Sequence, residues 1–246
     1  MRVGSLFAGI GGFDLGLERA GFEIAWQVEI DPYCQRVLAK HWPHVQRYGD
    51  IRGIDWDTVP RVDVLCGGFP CQDLSTAGKR IGLRTGTRSG LWFDYAKAIR
   101  ILRPKYILVE NVSGLLDNHA LGRVLGDLAE IGYDAEWSMF SACSFGASHM
   151  RERVFIVAYP NSLGIQAGCQ RFRGICTAQS QVWATNQYSS GGEANGESIS
   201  MWEPEPAISR VANGIPDRVD RIRGLGNAIV PQIAEWLGRQ IMKVSR

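Results

Sequence analysis

Over the first 160 residues, short apolar runs rich in branched side chains alternate with longer stretches whose apolar positions recur every three or four residues. A short run bounded by turn residues suits a buried strand, whereas the longer spacing suits a helix with one apolar face. Strands are therefore predicted at Val3–Phe7, Ile24–Glu29, Val45–Tyr48, Val62–Cys66, Tyr106–Glu110, Ala135–Phe140 and Arg153–Tyr159. Helices are predicted between them at Phe13–Ala20, from Pro32 to Lys40, and at Leu91–Leu102 and Leu121–Ile131. Gly21 supplies a C-terminal stop for the first, and Asp31 offers an N-cap ahead of Pro32, whose fixed φ suits the first helical position. Strands alternating with helices predict an α/β fold built on a doubly wound, mostly parallel sheet.

After Tyr159 the pattern changes. Ser, Gln, Gly, Asn and Arg dominate from Asn161 to Glu203, and "SSGGEANGE" (Ser189–Glu197) reads as a flexible loop. Helical periodicity returns at Ile229–Met242, with Ile233, Trp236, Leu237 and Ile241 on one face. The expected organisation is a first domain over 1–158, a small irregular region over 159–220, and a C-terminal segment, 221–246, that folds back on the first domain.

Composition narrows the picture only a little. A chain of 246 residues, 45% hydrophobic and 21% charged, can bury a substantial core. With 27 basic against 25 acidic residues the net charge is +2, which neither demands nor excludes a nucleic-acid partner, so any basic face must be local. Six cysteines without a C-x-x-C pair, in a chain of this size, point to a reducing cytoplasm. The glycine-broken N-terminus is unlike a signal peptide, and no segment approaches the roughly 20 apolar residues that span a bilayer.

The candidate chemistry gathers at strand ends. "SLFAGIGGF" (Ser5–Phe13) sets Gly9, Gly11 and Gly12 between the first strand and first helix, where backbone can approach a ligand closely and present free N–H groups. A tight βα connection would use the same residues. Glu29, 17 positions after Gly12, ends the second strand, where a carboxylate can accept two hydrogen bonds from a ribose diol. Asp50 ends the third in "GDI" and is available to an adenine amino group; the alternative for both acids is a solvated strand end. No Walker lysine motif is present, so an adenosine cofactor without a triphosphate fits better than phosphate transfer. Further along, Cys66 lies inside an apolar run and reads as a packing thiol, while Cys71 in "GGFPCQDLS" follows a proline where a strand hands over to a loop, a place suited to a nucleophile. Glu110 in "VENV" ends the next strand and becomes a proton donor if burial raises its pKa. Arg151 and Arg153, two apart at the mouth of the last strand, project to one face; a surface pair bridged to Glu152 or other carboxylates is the alternative.

The ordered series "FAGIGG", "VEID", "GDI", "GGFPCQ", "ENV", "RERVFIVA" and "GNAIVPQ" resembles the DNA cytosine-5 methyltransferases from the first strand to the C-terminal helix. The resemblance implies a Rossmann-like methyltransferase fold, S-adenosylmethionine as methyl donor with S-adenosylhomocysteine as product, and double-stranded DNA as partner. It implies that Cys71 attacks C6 of a cytosine while Glu110 protonates or hydrogen-bonds N3. C5 then accepts the methyl group, and loss of its proton expels the thiolate. Arg153 would hold O2 of the base and Arg151 would help order the site. The base must be flipped out of the duplex to be reached. "GKRIGLRTGTRSG" (Gly78–Gly90) looks like the family's mobile catalytic loop, with Lys79, Arg80, Arg84 and Arg88 placed to meet phosphates. Carried over position by position, Phe7, Ala8, Gly9, Gly11 and Gly12 surround the methionine part, and Glu29 and Ile30 meet the ribose. Asp50 and Ile51 hold the adenine, Pro70 and Leu91 wall the pocket, and Asn227 and Ala228 close it.

Ser5 stands where many members carry an acid before "LFAG", and His149 where a glutamine often begins the arginine motif. The target-recognition region is short for the family, at about 60 residues between Ala158 and Arg221. Arg171, Arg173 and Gln170 are the candidates there for base or phosphate contacts. The expected state is a cytoplasmic monomer with no membrane partner and no metal. The rival readings are an RNA cytosine-5 methyltransferase and a methyltransferase-like DNA-binding protein without catalysis.

Overall fold

The structure, a computed structural model, describes residues 1–70, 90–116, 120–163 and 218–245. In chain order these form β1 (Arg2–Leu6), α1 (Gly12–Arg19), β2 (Glu23–Val28), α2 (Pro32–His41), β3 (Gln46–Tyr48) and β4 (Val64–Gly67). There follow α3 (Leu91–Leu102), β5 (Tyr106–Val112), α4 (Ala120–Ile131), β6 (Tyr133–Ser141), β7 (Glu152–Pro160), α5 (Arg218–Asn227) and α6 (Pro231–Val244).

The strands make one sheet in the order β3-β2-β1-β4-β5-β7-β6. The first five in that order run parallel, with α1, α2 and α3 as crossovers and a short 3-10 turn between β3 and β4, and β7 pairs antiparallel with both β5 and β6. The chain reverses its direction of growth at β1, so the carboxyl ends of β1 and β4 open a crevice, the place where doubly wound sheets take ligands. Predicted and observed elements agree to within two residues at most ends. One difference is at β5, which extends two residues past Glu110 to Val112 because β7 pairs with it from Ala158 to Arg153. The second is α5, absent from the sequence reading: "RVDRIRGLGN" holds two glycines and no apolar stripe buried along its length.

Each face of the sheet buries its own apolar cluster. Leu65, Ile107, Val109 and Ile156 face Trp92, Tyr95, Ile99, Val124 and Leu128 from α3 and α4. Val3, Val64, Leu108 and Phe155 face Phe13 and Leu17 of α1 together with Ile233, Leu237 and Ile241 of α6. The C-terminal helix thus completes the core on the α1 side. Cys66, fully buried in that second cluster, has its thiol pKa driven upward by desolvation, the inert packing role its position in the sequence indicates.

Under the ligand turn lies a buried polar group. Ser5 Oγ donates to Asp14 Oδ2 at 3.0 Å and Gln27 Nε2 donates to Asp14 Oδ1 at 2.8 Å. The carboxylate of this group comes from α1, and Ser5 serves it as a donor; a second buried acid at position 5 would repel it. Desolvation outweighs the two hydrogen bonds and raises the Asp14 pKa to about 6 from an unfolded value of 3.8. The folded chain therefore holds this proton over a window where the unfolded chain has lost it, so the group's contribution to stability is present below pH 3.8 and is lost as pH rises to about 6. Asp14→Asn removes the window. Between pH 5 and pH 7.5 the variant should lose about 1 kcal/mol less stability than wild type in urea titrations; equal losses would refute the assignment.

Candidate functional site

The turn after β1 is held open by backbone that only a few positions tolerate. Phe7 adopts φ 51°, a left-handed conformation costing a bulky residue about 1–2 kcal/mol, and Gly9 and Gly11 follow at 57° and 89°. Strain of this kind persists where surrounding contacts fix it. Ala8 N–H donates to Val28 O at 3.0 Å, and Gly9 N–H donates to Glu29 Oε2 at 2.7 Å. Among the described residues nothing lies within 4 Å of where a Cβ on Gly9 would stand, so the space before it is open to them.

Glu29 is gripped at both oxygens, Oε1 accepting from Asp31 N–H at 2.8 Å. Burial pushes its pKa up and these two N–H groups push it back, leaving a raised value. Each oxygen accepts one hydrogen bond and keeps a second lone pair for a ligand. Asp31 caps α2 as expected, its Oδ1 accepting from Tyr33 N–H at 2.8 Å and Cys34 N–H at 3.1 Å. Its Oδ2 takes the Arg223 guanidinium of α5.

At the other end, β4 runs out through Gly68, Phe69 and Pro70 beside Glu110 of β5. Glu110 is 7% exposed, and Arg153 Nε lies 3.1 Å from its Oε1. The antiparallel register sets Arg153 opposite Val112 and Phe155 opposite Glu110, so Arg153 reaches Glu110 diagonally on the same sheet face. Desolvation outweighs the two arginines and raises the Glu110 pKa to about 7. A Cβ on Gly68 would stand 2.7 Å from Glu110 Oε2, so the glycine makes room for the carboxylate. Asn111 donates from Nδ2 to Phe69 O at 3.2 Å and fixes the exit of β4. Arg151 turns to the C-terminal segment, donating to Gly226 O at 2.6 Å and Ala228 O at 2.8 Å, and desolvation lowers its pKa.

These groups line one cavity of about 260 Å³, just under the ~300–1,000 Å³ usual for ligand pockets and suited to small ligands. Of the predicted site residues, Phe7, Ala8, Gly9, Glu29 and Ile30 line it from the β1–β2 side, and Pro70, Glu110, Arg151 and Arg153 from the β4–β5–β7 side. Asn227 and Ala228 form its C-terminal wall.

Five others lie elsewhere. Gly11 packs against Trp42, and Gly12 faces Ile229 O, where a Cβ would come within 2.4 Å; both admit neighbouring structure rather than open onto the cavity. Asp50 caps the short 3-10 turn that follows it and chelates Arg52, which lowers its pKa. Ile51 is buried in the core, and Leu91 packs against the same cluster from the start of α3. Cys71, Lys79, Arg80, Arg84, Arg88, Arg171 and Arg173 fall outside the described residues, Cys71 being next in sequence to Pro70. His149 is exposed.

Sequence reasoning missed Asn111, Arg223, Gly224 and Gly226 as parts of the site. Asn111 sat in a quoted motif, and its amide, next to a strand-end acid, was the available signal. The other three belong to α5, whose weak periodicity gave none.

Residues 1–201 match the C-5 cytosine-specific DNA methylase family. The chain is similar to the type II methyltransferase M.HhaI of Haemophilus parahaemolyticus, with 36% identity over 169 residues, covering 68% of this chain and 51% of that protein. It is similar to M.Eco47II of Escherichia coli, with 41% identity over 167 residues, covering 64% of this chain and 39% of that one. The chain thus spans about half or less of the length of these relatives. A triple mutant of Spodoptera frugiperda DNMT2 shares the fold, with a TM-score of 0.57 and 22% identity over 66% of this chain and 50% of its own. With the family match extending over most of its length, the chain belongs to the C-5 cytosine-specific DNA methylases.

Proposed function

We propose that this protein transfers a methyl group from S-adenosylmethionine to C5 of a cytosine flipped out of duplex DNA, with Cys71 as transient nucleophile. The observation that carries the reading is the continuous cavity with Glu29 and the glycine turn at one end and the Glu110–Arg153 pair at the other. The residues fit the donor. Glu29 has lone pairs free for a diol, and among the described residues open space stands before Gly9. Bound there, S-adenosylmethionine supplies an electrophilic methyl group.

At the other end the chain's own groups manage charge on the base. Cytosine C5 is a weak nucleophile until a thiolate adds at C6. Electron density then builds toward N3, and Glu110, with a pKa of about 7, has a proton to place there near neutral pH. Arg153 holds that carboxyl in position and presents positive charge beside it. Arg151 acts at one remove, fixing the C-terminal wall through two carbonyls.

The test is incubation of purified protein with unmodified duplex DNA and methyl-labelled S-adenosylmethionine, followed by base mapping. Label on C5 of cytosine is expected. Label on adenine N6 or cytosine N4 would overturn the reading, because amino-group chemistry needs no thiol.

A further inference from the structure

Helix α5 lines the cavity through Arg223, Gly224, Gly226 and Asn227, with Arg223 reaching Asp31 beside Glu29, yet little apolar burial holds it there. Val219, Ile222 and Leu225 are 78%, 59% and 67% exposed. Among the residues of α5 with a described burial only Gly224 is buried, close to Ile10 and Tyr33. Its C-terminal end is tied down by Arg151 through Gly226 O. Its middle is tied by Arg223, whose guanidinium meets Asp31 Oδ2 and lies 3.5 Å from Asp220 on its own helix.

Asp31 divides its work, one oxygen capping α2 and the other taking Arg223, while its N–H donates to Glu29 Oε1. Glu29 Oε2 in turn takes the N–H of Gly9. A chain of hydrogen bonds therefore runs from α5 through Asp31 and Glu29 to the glycine turn. We propose that Arg223 is a positioning residue that latches α5 over the nucleoside end of the cavity through Asp31, slowing cofactor escape. This rests on the proposed cofactor site. Arg223 touches no reacting atom; it acts by holding the wall formed by Gly224, Gly226 and Asn227.

The experiment measures S-adenosylhomocysteine affinity by calorimetry and its dissociation rate by stopped flow, in the full chain. Arg223→Met should weaken binding about fivefold, the scale of a partly exposed ion pair, and mainly through faster dissociation. Arg223→Lys should recover part of the loss. Asp31→Asn keeps an oxygen to cap α2 but removes the charge, and in that background Arg223→Met should change affinity less than twofold. A general loss of packing would instead lower thermal stability alike in both backgrounds and leave the dissociation rate uncoupled from Asp31. Wild-type affinity in Arg223→Met, or the same fivefold loss with Asn at position 31, would overturn the latch alone. Failure of wild type to bind S-adenosylhomocysteine would overturn both the cofactor reading and the latch.

Discussion

Glu110→Gln should lower the rate of methyl transfer by about 10²–10⁴, the range for loss of a positioned proton donor. The amide keeps the shape beside Gly68 and can offer a hydrogen bond, but it has no proton to give as charge builds on the base. Affinity for S-adenosylhomocysteine, read at the other end of the cavity, should stay within about twofold, since less than 0.5 kcal/mol is expected from a site that shares no partner with Glu29. The pH profile gives an independent check. Because burial raises the Glu110 pKa to about 7, the carboxyl is protonated below that value and ionised above it. The wild-type rate should therefore fall as pH rises through about 7, and that alkaline limb should be absent in Glu110→Gln. A variant that keeps the limb would assign it to another group.

Gly16→Ala should destabilise the fold by about 1–3 kcal/mol, although the same change in an exposed helix would stabilise it by about 1 kcal/mol. The sign is set by what the new methyl meets: Pro231 O at 2.3 Å, Ala234 Cβ at 2.6 Å and Glu235 N at 2.8 Å. Two of these are backbone atoms of α6, which have no rotamer to yield, so α1 and α6 must separate. For a chain of this size, each kcal/mol moves the melting temperature by about 2–4 °C, so a fall of several degrees is expected by calorimetry. Because α6 continues from the cavity wall at Asn227 and Ala228, cofactor affinity should fall with it. An unchanged or higher melting temperature would show that the helices are less tightly opposed than their glycines indicate.

Most of the sheet and the helices on it were legible because each buried element carries its own period. The runs at Tyr106–Glu110 and Leu91–Leu102 need no partner to be recognised. What sequence left unread depends on pairing between distant segments. Val112 became part of β5 only through Arg153 opposite it, and α5 stands on Arg223, Arg151 and Gly224 rather than on an apolar stripe. In the candidate site, Glu110, Arg153 and Glu29 were legible because acids and arginines at strand ends face the same crevice. The glycines were harder, since Gly9 opens space before the turn while Gly12 admits Ile229. Asp50 shows a further difficulty, as the Arg52 two residues later takes its carboxylate by a local contact.

A duplex carrying 5-fluorocytosine, offered to the protein together with S-adenosylmethionine, reports on the covalent step itself. Fluorine at C5 does not leave as a proton does, so the thiolate of Cys71 should remain bonded to C6. The expected result is a denaturation-resistant protein–DNA adduct whose peptide mass places the link at Cys71, and no adduct in Cys71→Ala. Methylated cytosine formed at the wild-type rate by Cys71→Ala, or an adduct mapped to another residue, would contradict it.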